Sequence, residues 1–129
     1  MSVWATLIIN EEFFMAKTRT SIKKPRTFAF LHQKGCCYYC NQPMWANNPS
    51  GFASQYKISL GQTKSLQCTA EHLIAHHQGG STTRKNIVAA CLFCNSKRHA
   101  RKEAPSPKDY KKFVKSRLSQ VKWHGLKLH

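Results

Sequence analysis

Acidic residues are what this chain has least of. Five Asp or Glu stand against 21 Lys or Arg in 129 residues, a formal net charge of +16. That imbalance points to a polyanionic partner, most simply nucleic acid. Between Glu12 and Glu103 the single carboxylate is Glu71, with His72 directly after it. An acid so isolated in a basic stretch calls for a role beyond surface decoration. Long apolar runs are absent as well. None approaches the roughly 20 residues that cross a bilayer, and no basic helix carries a broad Trp/Phe/Leu face for lying on one. Met1–Met15 is partly apolar, but it lacks a basic start and contains Glu11-Glu12, which argues against a signal peptide. It reads as an edge strand or a tail, with Met15 as an alternative start. No internal repeat or strong low-complexity segment occurs.

What is present is cysteine in a pattern. Four of the six cysteines form two Cys-x-x-Cys pairs, Cys37/Cys40 and Cys91/Cys94. This is metal-ligand spacing, and it implies reduced thiols and a cytoplasmic (intracellular) setting. One Zn²⁺ held by all four would staple a domain whose core is modest at this length. Cys36 could replace a ligand, but the two-residue spacer suits tetrahedral zinc better through Cys37.

The pattern along the chain predicts an α+β domain. Residues 13–26 form a basic arm, flexible until it meets a phosphate backbone. Residues 26–34 predict a short helix capped at Thr27 and stopped by Gly35. Phe52, Tyr56, Ile58 and Leu60 suggest a weak strand within a loop-rich region. Alternation over residues 65–71 predicts a half-buried strand with Glu71 on its polar side. A loop follows, closing in Gly79-Gly80, then a β-prone run over 86–90, then a helix from Phe93 to about Lys102. Ser106, Pro107 and Asp109 mark the start of a last helix. Its stripe of Tyr110, Phe113, Val114, Arg117/Leu118 and Val121 reads as core packing.

Asn95 and His99, four residues apart, project from one face of the predicted helix. If the end of the preceding strand lies across that face, Glu71, Asn95 and His99 converge as two oxygen ligands and one nitrogen ligand for a divalent ion. His72 then points the other way, free to act as a base. That ligand set suits Mg²⁺ or Mn²⁺, distinct from the structural zinc.

Glu71-His72 with Gly79-Gly80, then Asn86-Ile87-Val88, then Cys91-x-x-Cys94-Asn95-Ser96-Lys97, resembles the HNH endonuclease family with its ββα-metal (His-Me finger) fold. The resemblance covers residues 37–99 and includes the paired cysteine knuckles. It implies that His72 is the general base and that Asn86 orients the loop through backbone hydrogen bonds. It places Asn95 at the final His position of the motif, and His99 where colicin-type nucleases carry a further metal-binding His. Glu71 stands where Asp or His is usual. The implied reaction is metal-dependent hydrolysis of DNA phosphodiester bonds to 5′-phosphate and 3′-hydroxyl ends, as in restriction or phage defence. The implied organisation is an N-terminal segment and basic arm (1–26), a nuclease domain with its zinc site (27–104), and a C-terminal helix packed on the core (105–129).

Lys97, Arg98, Arg101 and Lys102 extend from the predicted helix, which in this fold lies against the minor groove. They are expected to clamp phosphates beside the scissile bond. Tyr38, Tyr39, Trp45 and Trp123 either stack on bases or fill the core. The expected partner is double-stranded DNA, nicked by a monomer or cut on both strands by a homodimer. Two rival readings remain open: a non-catalytic zinc-binding nucleic-acid module, and a nuclease acting on RNA.

Overall fold

The computed structural model describes residues 13–129, and side chains from residue 22 onward. The edge strand or tail expected at the N-terminus lies outside the described residues. Residues 13–26, expected as a flexible basic arm, are helical: a helix, α1, runs Phe13–His32 with Pro25 inside it. Proline removes one helical hydrogen bond, yet packing decides the outcome. Ala29 is buried in the core, and α1 lies on the sheet. Gly35 still ends this region, with φ at +75° and its N–H bonded to Phe30 O.

Pro49–Tyr56 is a helix, α2, and Leu60–Thr63 is one turn of helix, α3, where a weak strand was expected. The caps explain the difference. Asn48 accepts from Gly51 N with Pro49 at the first position, and Ser59 and Gln62 form a reciprocal capping box. Phe52 and Tyr56, expected in that strand, are instead four apart on one helical face, with rings 4.8 Å apart.

Two antiparallel strands form the only sheet among the described residues: β1 (Cys68–His72) and β2 (Ile87–Cys91), with Cys68 opposite Cys91 and His72 opposite Ile87. Both edges are closed. Gln33 bonds Ala89 N and Ala89 O with its side-chain amide, and Tyr38 N adds a bond to Ala89 O. On the other side Trp45 makes a parallel bridge to Gln67 and accepts from Cys68 N. Open strand edges invite pairing with other chains, and here the knuckle and the end of α1 prevent it.

Helix α4 (Leu92–His99) starts directly after β2, completing a ββα unit. Helix α5 (Pro107–Ser119) begins as its sequence predicts: Ser106 Oγ accepts from Asp109 N, with Pro107 first. Tyr110 and Val114 are buried, but Val121 is 82% exposed at φ +55°, beyond the helix end, so the expected stripe stops short of it. The core gathers Tyr39, Met44, Leu66, Cys68, Ala89 and Tyr110 around the cysteine knuckles. A small α+β domain results, in which the thiols are core residues.

Candidate active site and metal centre

The two knuckles meet. The Sγ atoms of Cys37, Cys40, Cys91 and Cys94 all lie within 4.8 Å of one another, and all four residues are buried. Cys40 Sγ and Cys91 Sγ are 3.9 Å apart. Four thiolates about 2.3 Å from one tetrahedral zinc would stand about 3.8 Å from each other, so the donor set fits that ion. Among the described residues this is the one grouping of three or more Cys, His, Asp or Glu able to hold a metal. Cys36 faces away, its Sγ 3.7 Å from Lys34 O. Cys68 stays a thiol, its pKa pushed up to about 11 by burial.

Each sulfur also receives a donor. Cys37 Sγ accepts from Tyr39 N and Cys91 N, and Cys91 Sγ accepts from Cys94 N. Trp123 Nε1 donates to Cys94 Sγ at 3.3 Å, and His124 Nε2 lies 3.4 Å from Cys40 Sγ. Hydrogen bonds from the neighbouring thiols and from His124 hold Cys40 well below the ordinary thiol range. Trp123 and His124 are 29 and 84 residues from the sulfurs they touch. No spacing in the sequence signals them.

The second cluster lies where β1 crosses α4. Glu71 is 1% exposed and Arg98 3%. Glu71 Oε2 accepts from Tyr39 Oη at 2.8 Å and from Arg98 Nη1 at 2.9 Å, while Oε1 lies 2.8 Å from His99 Nε2. Glu71 is therefore not on a polar outer side of its strand. Burial beside the carboxylate drives the Tyr39 phenol far above its ordinary range, so it remains a donor. Arg98 also bonds Pro105 O, His72 O and Leu73 O. The expectation that Arg98 clamps phosphate needs correction, because its guanidinium is spent inside the protein. Helix spacing explains this: Arg98 follows Cys94 by four residues and so shares the inward face. Lys97, Arg101 and Lys102 are exposed.

Asn95 Nδ2 donates to Thr69 Oγ1 and Ala70 O, holding α4 against β1. Its Oδ1 makes no hydrogen bond among the described residues. The side chain of His99 is 34% exposed, so one side of the Glu71–His99 pair is open. His72 lies beside this cluster, half-buried, with Nε2 3.4 Å from Thr82 Oγ1 and its ring edge-to-face with His76. Burial lowers its pKa, and His76 adds to this against the pull of Glu71. The shift favours the neutral ring, the form that accepts a proton.

The loop between the strands is organised by Asn86. Its Nδ2 donates to Ile74 O and Ser81 O, its Oδ1 accepts from Ile74 N, and its carbonyl accepts from Leu73 N. Residues 59–101 match the HNH endonuclease family. The chain carries an HNH domain. No curated protein and no solved structure matches the chain. The HNH domain contains Glu71, His72, Asn86, Asn95 and His99 together with the second knuckle, while Cys37 and Cys40 come from the segment before it. Membership supports a nuclease-type function that acts on nucleic acid. Among the described residues of the protein, no helix is long and apolar enough to cross a membrane.

Proposed function

We propose that the protein is a metal-dependent endonuclease that hydrolyses double-stranded DNA in a reducing, cytoplasmic setting, in restriction or phage defence. The observation that carries this reading is the pairing of Glu71 Oε1 with His99 Nε2 at 2.8 Å, beside the half-buried His72. A carboxylate oxygen and an imidazole nitrogen that close can share one small ion in place of a proton. The free Oδ1 of Asn95 completes a hard donor set suited to Mg²⁺ or Mn²⁺. When bound, such an ion supplies positive charge to the phosphate and to the leaving oxygen.

His72 takes a proton from water, and the hydroxide oxygen attacks phosphorus. The bond from phosphorus to the 3′ oxygen breaks, that oxygen acquires a proton, and the products are a 5′-phosphate and a 3′-hydroxyl. Tyr39 and Arg98 fix the Glu71 carboxylate, and Asn86 fixes the loop that follows His72. Lys102 meets a backbone phosphate beside the site, whereas Lys97 and Arg101 turn toward α5. The four cysteines hold a structural Zn²⁺.

One observation favours a second reading, a non-catalytic zinc-binding nucleic-acid module. Both oxygens of Glu71 already have partners, and Arg98 offsets its charge within the protein. Incubating supercoiled plasmid with zinc-loaded protein in Mg²⁺, Mn²⁺ or EDTA separates the two. The nuclease reading expects cleavage with metal, none in EDTA, and none by His72→Ala. Open circles would indicate nicking by a monomer, and early linear product would indicate a homodimer. Cleavage in EDTA, or full activity in His72→Ala, would overturn the mechanism. Binding without cleavage would establish the module.

A further inference from the structure

A second cluster of cations lies on the other side of α4. Phe93 and Lys97 are four residues apart on α4 and share a side, with Arg101 just past the helix end, whereas Asn95 is two residues from Phe93, about half a helical turn around. Between this side of α4, helix α5 and the segment after it is a pocket of about 320 Å³. Its aromatic wall is continuous: Trp123 packs on Phe93 with rings 5.0 Å apart and on Phe113 at 5.8 Å. Lys97, Arg101, Arg117 and Lys122 supply the polar wall.

Three features suit these cations to an anion. The guanidinium carbons of Arg101 and Arg117 lie 4.7 and 5.9 Å from the centre of one ring, Phe113, so a single aromatic side chain carries two cations. None of the four forms an ion pair among the described residues, whose ion pairs both belong to Glu71. Arg117 Nε is buried and has no hydrogen-bond partner. A buried donor ordinarily finds an acceptor, and convergent like charges repel unless one arrives.

We propose that this pocket is a second binding site, separate from the His72 centre, that takes the phosphate of a nucleotide. Arg101 and Arg117 bond the phosphate oxygens, as planar guanidinium groups do in paired fashion. Lys97 and Lys122 add charge, and the Phe93–Trp123 wall offers an apolar face to the rest of the nucleotide. The phosphate can belong to a free nucleotide or to a nucleic-acid backbone running past the HNH domain. The site does not depend on cleavage, since a non-catalytic protein would have the same pocket.

Zinc-loaded full-length protein carrying His72→Ala provides the test, because bound DNA then stays intact. The indole N–H signal of Trp123 is followed by NMR during titration with a 5′-mononucleotide and, separately, with a short DNA duplex. A saturable shift with the mononucleotide assigns a free-nucleotide site, and a shift with the duplex alone assigns a backbone-phosphate site. In either case Arg101→Leu and Arg117→Leu should each weaken binding about tenfold, the loss of one charge-assisted contact, while Lys64→Gln should not. Arg101 is exposed, so its variant keeps the test valid if Arg117→Leu folds poorly. No saturable shift with either ligand, or equal weakening by Lys64→Gln, would overturn the proposal.

Discussion

Arg98 Nη1 lies 2.9 Å from Glu71 Oε2, and both side chains are almost wholly inside the protein. The isolated carboxylate of a very basic chain is thus matched to one arginine buried with it. Tyr39 shares the same oxygen, which leaves Oε1 and His99 at the open side. The charge that brings nucleic acid in and the charge that organises the site are separated by burial.

Breaking that pair should be costly. Arg98→Met leaves a carboxylate buried without its counter-charge and should destabilise the fold by about 3–5 kcal/mol in urea unfolding. Adding Glu71→Gln should recover part of that loss, because the orphaned charge is gone. A double variant no more stable than Arg98→Met alone would show that the arginine acts through its carbonyl contacts instead.

Zinc should be part of folding. Metal analysis of EDTA-washed protein is expected to find about one tightly held Zn²⁺ per chain, and Cys91→Ser should lose both metal and cooperative unfolding. His124→Ala removes the partner of Cys40 Sγ without removing a ligand. Its zinc should pass to a competing chelator with about 10–100-fold lower retained affinity, the usual effect of losing an outer partner. Metal-free protein with a normal unfolding transition would contradict the structural role.

Asn86→Ala should loosen the loop between the strands. Three side-chain hydrogen bonds disappear, and Ile74 N, Ile74 O and Ser81 O lose their partner. At about 1 kcal/mol net per bond the loss should be about 2–4 kcal/mol. Hydrogen exchange at residues 73–81 should quicken while the α5 amides stay protected. Uniform acceleration throughout would mean that Asn86 supports the whole fold.

The two loop glycines should respond differently to alanine. A Cβ on Gly80 would come within 1.8 Å of Ile74 O, so Gly80→Ala must displace backbone. A Cβ on Gly79 would meet nothing within 4 Å, and only its φ of +89° opposes the change. Gly79→Ala should therefore cost about 1 kcal/mol, and Gly80→Ala clearly more, about 1–3 kcal/mol or beyond. Thermal melts of the two variants side by side would check the order, and the reverse order would refute the close approach at Gly80.

Local signals were legible in the sequence wherever short-range chemistry decided the outcome. The cap at Ser106 and Pro107 started α5 where expected, and the two-residue cysteine spacers brought four thiols together because that spacing turns both sulfurs of each knuckle the same way. Strand alternation located β1 near its true place and put Thr69 and Glu71 on one face, but that face is covered by α4 and not by water. Alternation reports polarity, and polarity does not say whether a helix packs on the polar face. The segment around Phe52 and Tyr56 misled because spacing four apart also fits period two, and the capping bonds of Asn48 and Ser59 settled it. Pro25 did not end α1, since burial of Ala29 against the sheet outweighed one lost hydrogen bond.

The sequence by itself determined the excess of positive charge, the knuckles and the ordered set Glu71, His72, Asn86, Asn95 and His99, because ligand spacing and net charge are properties of the chain. Only the tertiary structure decided that Arg98 turns inward to Glu71, that Tyr39 joins it, and that Trp123 and His124 return to the thiols. Those contacts join residues 27 to 84 positions apart. Burial makes them strong, and burial is fixed by packing rather than by any local run of residues.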